Sequence, residues 1–234
     1  MELNLIQKVA VFALPVIYAI TLHEAAHGYA ARRFGDRTAE LAGRISLNPL
    51  RHIDPVGTLI VPLGILLLSK LAGAGGILFG WAKPVPVNYR NLRRPKQAML
   101  WVAAAGPGAN LLMALFWSAM IKLAFAIQGS SFAMPLALMG AAGVFINAVL
   151  MALNLLPVPP LDGGRIAVSL LPPRLAYALA RVEPYGLFIL LALLFTGLLG
   201  VFVWPLIRAV IALCATLIGI HSIELLSLIQ IVLN

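Results

Sequence analysis

The sequence predicts an all-α, polytopic membrane protein with about five transmembrane helices. Three observations predict it. Of the 234 residues, 62% are hydrophobic and 11% are charged, about half the charged share of an ordinary soluble domain, and the mean hydropathy is +0.98. The apolar residues come in long runs, at 1–31, 98–127, 134–156, 185–204 and 205–233, each with enough apolar sequence for a span of about 20 residues. The sequence also lacks the alternating strands of about ten residues that a β-barrel would show. Helices are then the way to satisfy backbone polar groups in lipid.

The first run carries Glu2 and Lys8 near its start. It lacks the short apolar core and small-residue cleavage site of a signal peptide, so it reads as a retained span. The basic residues fall mainly in short loops: Arg32, Arg33, Arg37, Arg44 and Arg51, then Lys83, Arg90, Arg93, Arg94 and Lys96, then Arg165, Arg174 and Arg181. That is how topology determinants are distributed, and it puts 32–54, 82–97 and 165–183 on the cytoplasmic side. The net charge of +9 is thereby read as topology rather than as a nucleic-acid surface. The chain should sit in the cell (plasma or inner) membrane with its N-terminus outside and the first span running inward.

Residues 55–81, "PVGTLIVPLGILLLSKLAGAGGILFGW", are apolar but lie between two basic loops. Two full crossings need about 40 residues, and one crossing would put a basic loop outside. The expectation is a re-entrant or broken segment, whose prolines and glycines suit non-helical backbone buried in protein; an ordinary tilted span is the alternative. Spans 98–127 and 134–156 make a return trip, and 184–234 forms a final helix pair. All of 1–234 reads as one membrane-embedded domain, with a catalytic core at about 1–170. The single Cys214 excludes an internal disulfide and a cysteine-based metal site, and reads as a small packing residue.

The chemistry begins at "TLHEAAHGYA", residues 21–30. Ionisable groups are costly inside a span, so three in five positions call for a function. His23 and His27 are four apart, about 6 Å along a helix axis and on nearly one face, so both imidazoles can grip one zinc ion. Glu24, about 100° round from His23, can serve a metal-bound water as general base. Zinc would lower the pKa of that water to about 7. A catalytic zinc takes three protein ligands. Asp162, in "NLLPVPPLDGGR", is the candidate third ligand: the return trip of the two middle spans brings it to the side where His27 lies. Gly163 and Gly164 permit close backbone approach there. The competing role for Asp162 is a helix N-cap. His52 and Asp54, in "NPLRHIDP", are rival ligands, turn residues or partners fixing an imidazole tautomer. His221 and Glu224, spaced i,i+3, read as a hydrogen-bonded pair or the lining of a gate.

"HEAAH" in a membrane helix together with "NLLPVPPLDGG" late in the chain resembles the site-2 proteases, intramembrane zinc metalloproteases. "GWAKPVPVNYRN" and "AAAGPGANLLMAL" resemble segments of compact prokaryotic members, and the likeness spans roughly residues 15–170. It implies one Zn2+ held by His23, His27 and Asp162, with Glu24 as general base and acid. It also implies that Asn154, eight residues before Asp162, helps hold the substrate strand or the developing oxyanion. Asn147 and Asn110 read as interhelical glue. The sequence carries neither the PDZ nor the CBS domain of larger members. The implied reaction is peptide-bond hydrolysis within or near a transmembrane segment, in a site near the cytoplasmic end. The implied partner is a transmembrane substrate, such as a single-pass anti-sigma factor. The substrate must unwind locally, and "KPVPVNY" is an expected extended strand, near 82–90, that could pair with it.

Two other functional classes fit the residues less well. A membrane-embedded di-iron redox enzyme would use Glu24-x-x-His27 but needs a second such motif and further glutamates; only the reversed "HSIE" at 221–224 exists. A cation transporter would want several carboxylates along a path through the spans, which hold almost none.

Overall fold

The computed structural model describes residues 3–52, 54, 60 and 83–233. Helix α1 runs Leu5–Arg33. Its start is fixed by a reciprocal cap: the Asn4 side chain accepts from the Gln7 N–H at 2.9 Å and the Gln7 side chain accepts from the Asn4 N–H at 3.0 Å, which satisfies two otherwise orphaned donors. Arg32 and Arg33 occupy its last turn, where cations complement the helix dipole. A short α2 follows at Thr38–Leu41. Helix α3, Pro95–Ala126, begins with Pro95 in its first turn, where the missing N–H costs nothing. Helices α4 (Ala133–Asn154), α5 (Asp162–Leu170), α6 (Pro173–Ala180), α7 (Gly186–Phe195), α8 (Leu198–Ile218) and α9 (Ser222–Leu233) complete the chain.

Among the described residues, five stretches are long and apolar enough to cross a membrane: Leu5–Arg33, Pro95–Ala126, Ala133–Asn154, Pro173–Phe195 and Leu198–Ile218. The antiparallel pair α3–α4 forms the centre, with α1, α5, α8 and α9 packed against it. Close approach of α3 and α4 depends on small residues. A Cβ at Gly143 would lie 2.1 Å from the Trp117 ring, and one at Gly140 would lie 2.5 Å from Ile121. Lipid offers no hydrophobic drive for helices to associate, so van der Waals contact of this kind holds the pair together.

Two expectations are corrected. The strand near 82–90 is not formed: 83–88 has no regular secondary structure and forms no strand pairing among the described residues, and 89–91 is a 3-10 turn. Pro84 and Pro86 bring no N–H. Three of the four remaining donors are engaged elsewhere, the N–H of Lys83 by the His52 carbonyl, of Val85 by Glu24 and of Asn88 by Asp36. The C-terminal pair also breaks at different points from the expected 185–204 and 205–233. Gly197 (φ 74°) and Gly219 (φ 78°) adopt the left-handed conformation at the two ends of α8, which glycine enters without penalty, and Pro205 lies inside that helix. The fourth span accordingly starts earlier, at Pro173. The expected re-entrant segment at 55–81 lies outside the described residues, Ile60 apart.

Asp36 ties the 83–88 segment to the end of α1. Fully buried, it accepts from the Thr38 N–H and hydroxyl, the Asn91 amide and the Asn88 N–H. Burial pushes its pKa up, but these four hydrogen bonds prevail and hold it below its ordinary value of 3.8. A depressed folded-state pKa stabilises above the unfolded value and is lost as pH falls through the folded one. Limited proteolysis should therefore find 83–94 protected at neutral pH and cut faster at a pH well below 3.8. Asp36→Asn, which turns an acceptor into a donor, should expose the segment at neutral pH by about 1–3 kcal/mol.

Candidate metal centre

Three side chains from two helices meet at one point. His23 and His27 project from one face of α1, and Asp162 is the first residue of α5. The two imidazole Nε2 atoms are 3.1 Å apart, and each is 3.3 Å from Asp162 Oδ2. His23 and Asp162 are buried, at 7% and 8% exposure. Asp162 does not cap its helix: the α5 N-cap is Leu161 and no side chain caps it. Its Oδ2 is buried and accepts no hydrogen bond.

The protonation states follow from the outer partners. His27 Nδ1 is 2.7 Å from the Val102 carbonyl, which can only accept, so Nδ1 carries the hydrogen. His23 Nδ1 is 2.6 Å from Asn110 Oδ1. The orientation of that amide is set by its Nδ2, which donates to the Ala19 carbonyl at 3.2 Å and to Asn147 Oδ1 at 3.0 Å. His23 Nδ1 is therefore the protonated nitrogen as well. In the neutral rings this leaves each Nε2, 3.3 Å from Asp162 Oδ2, as the nitrogen available to a metal ion.

The residues fit zinc. Two imidazole nitrogens and one carboxylate oxygen are a catalytic donor set, and tetrahedral bonds of about 2.0–2.1 Å put ligand atoms about 3.3 Å apart. Space is kept by Gly106 on α3, where a Cβ would lie 2.4 Å from His27 Nε2 and 2.6 Å from His23 Nε2. The glycines after Asp162 have a different task. A Cβ at Gly163 would come within 2.2 Å of the Leu155 carbonyl oxygen, and one at Gly164 within 2.3 Å of Pro159 N. Only a chain bare at both positions can fold the proline-rich turn 155–161 back over α5, which presents Asp162 to α1.

Glu24 lies beside this cluster in sequence, and its Oε2 accepts the Val85 N–H at 2.7 Å. Asn154, the last residue of α4, donates through Nδ2 to the Leu150 carbonyl at 3.0 Å, one turn back on its own helix. The other candidates lie elsewhere. Among the described residues, the group placed to share a metal consists of His23, His27 and Asp162; His52 and Asp54 do not join it. His52 Nε2 instead donates to the Ser46 carbonyl at 2.9 Å. His221 and Glu224 are joined through the backbone, the Glu224 N–H donating to the His221 carbonyl.

Sequence reasoning missed the task of Asn110. It is fully buried and links His23 to Asn147, whose own Nδ2 donates to the Gly143 carbonyl at 2.9 Å. The two asparagines do bridge α3 and α4, as expected of interhelical glue, but the chain ends on an imidazole. Outer partners of this kind typically contribute 10–100-fold to metal affinity, so Asn110→Ala should weaken zinc binding by about that factor. Competition with a chromogenic chelator would measure it, and Asn147→Ala should have the smaller effect.

The chain matches peptidase family M50 over residues 118–197. It is 37% identical over 199 residues to "Putative zinc metalloprotease YwhC" of Bacillus subtilis, covering 84% of this chain and 85% of that protein. It is 30% identical over 195 residues to "Putative zinc metalloprotease Rip2" of Mycolicibacterium smegmatis, covering 82% and 70%. The similarly named protein of Mycobacterium tuberculosis strain H37Rv is 29% identical over 181 residues, covering 76% and 63%. No solved structure matches the chain. The extent of these matches, on a chain that sets two helical histidines against an aspartate, places this protein in peptidase family M50, the site-2 proteases.

Proposed function

We infer that this protein is an intramembrane zinc metalloprotease that hydrolyses peptide bonds within or near the transmembrane segments of other membrane proteins. The observation that carries this reading is the convergence of His23 Nε2, His27 Nε2 and Asp162 Oδ2, mutually 3.1–3.3 Å apart. His23, His27 and Asp162 would hold a single ion. Bound there, zinc supplies Lewis acidity toward a peptide carbonyl and acidifies a water.

The chain's own residues do the rest. Asn110 and the Val102 carbonyl hold the two imidazoles with their lone pairs inward. Glu24 takes the proton from the attacking water and returns it to the leaving amine. Asn154 uses one amide hydrogen on Leu150; the second is the proposed donor to the substrate strand or the oxyanion. The 83–88 segment is proposed to lie along an unwound substrate. With the N–H groups of Lys83, Val85 and Asn88 engaged and the Lys83 and Pro84 carbonyls accepting from Arg44, it would offer mainly the carbonyls beyond Pro84.

The basic loops favour a cytoplasmic-facing site in the plasma or inner membrane. A single-pass protein such as an anti-sigma factor is the proposed substrate. The redox and transporter alternatives gain no support, since no second metal-competent cluster exists among the described residues. The test is cleavage of single-pass substrates by purified protein in vesicles. The products should map within or beside the apolar segment. Chelator should stop cleavage, and added zinc should restore it. Turnover indifferent to chelation would refute the reading.

A further inference from the structure

Helix α8 carries a cation where a membrane helix rarely has one. Arg208 is the eleventh of 21 residues in Leu198–Ile218, so it sits near mid-depth, too far from either end to reach water easily. The buried face of α8 includes Val203, Ile207, Val210, Ile211 and Cys214, while Arg208 is exposed, about 100° round the helix from Ile207. No carboxylate among the described residues pairs with it; the ion pairs of the basic loops engage Arg32, Arg37 and Arg165 instead. An unpaired guanidinium facing hydrocarbon is costly, and such residues mark a functional contact.

Arg208 also lies at one end of a shallow, open groove of about 520 Å³ along α8, lined further by Gly197, Gly200, Val201, Trp204 and Pro205. Positions 197, 200, 201, 204 and 208 follow helical spacing, so they form one stripe. A Cβ at Gly197 would meet nothing, and one at Gly200 would meet only the Trp204 ring, at 3.3 Å. A second helix can therefore approach closely at the glycine end. Pro205 cannot supply the N–H that would bond the Val201 carbonyl in a regular helix, which adds an acceptor to the wall.

We propose that this groove docks a transmembrane helix of another protein that carries an aspartate or glutamate near the middle of its span. Charge complementarity selects that occupant: a carboxylate at the same depth neutralises Arg208 and is itself neutralised. A second copy of this chain does not fit. Among its described acids, Glu24 and Asp36 are engaged internally, Glu40 and Glu183 pair with arginines, Asp162 is in the metal cluster, Asp54 lies in a loop, and Glu224 sits in the first turn of α9. The groove lies on α8, away from the residues assigned to zinc, so the proposal stands independently of the proteolytic reading.

The test uses the full chain in phosphatidylcholine vesicles, with energy transfer to labelled leucine-rich helices of about 20 residues bearing a central Glu, Gln or Leu. The Glu helix should bind about ten-fold or more tightly than the Leu helix, as expected for a desolvated charge pair. Arg208→Gln should remove that preference and Arg208→Lys should keep part of it. Gly200→Leu, which fills the groove and leaves the charge, should weaken binding of the Glu helix. Equal binding of the Glu and Leu helices, or a preference that survives Arg208→Gln, would overturn the proposal. So would displacement of the Glu helix by added phosphatidylglycerol, which would assign the groove to a lipid phosphate.

Discussion

Glu24→Gln should abolish peptide-bond cleavage while leaving the zinc content of the protein unchanged. General acid–base catalysis contributes about 10²–10⁴-fold, and a fall in kcat of at least that size is expected. The substitution is well matched to the question because Glu24 has two tasks. Its Oε2 accepts the Val85 N–H at 2.7 Å, which moors the 83–88 segment against α1. A glutamine keeps an amide oxygen for that bond and loses only the ability to take a proton. Glu24→Ala removes both. It should lose activity equally and also free the segment around Val85, seen as faster limited proteolysis near residues 83–88. If Glu24→Gln retained turnover, the general base would have to be another residue.

Gly106→Ala should cost nearly all zinc binding, about 100-fold or more in affinity, at or beyond the upper end of what outer partners of metal ligands contribute. The added methyl would lie 2.4 Å from His27 Nε2 and 2.6 Å from His23 Nε2, the two atoms that face Asp162. Neither ring can readily retreat, because Asn110 holds one and the Val102 carbonyl holds the other. Gly108, two residues on, has open space around it. Gly108→Ala is therefore the matched control and should bind zinc normally. Chelator competition on the three proteins separates a blocked metal cradle from a general disturbance of α3.

Much of this site was legible in the sequence, and the reasons differ by residue. His23 and His27 could be paired because helical spacing alone fixes their relation. Asp162 required topology as well: an even number of crossings between it and α1, with two glycines to admit the turn. Asn110 was not legible, because its bond to His23 spans 87 residues and nothing local distinguishes an asparagine that orients an imidazole from one that only packs helices. Gly106 was not legible either, since the atoms it makes room for belong to another helix. The membrane spans followed from apolar length. Their boundaries after residue 184 did not, because hydropathy is nearly uniform there and the breaks depend on backbone angles at Gly197 and Gly219. The strand expected near 82–90 failed for a further reason: partners elsewhere in the fold engage the donors of Lys83, Val85 and Asn88.

The central claim is that α1 and the start of α5 grip one ion together. Metal analysis of the purified protein beside His23→Ala, Asp162→Ala and His52→Ala tests it most directly. The account predicts about one zinc per chain in the parent and in His52→Ala, and loss of metal in the other two, as a three-ligand catalytic site requires. Full zinc in Asp162→Ala together with its loss in His52→Ala would contradict it.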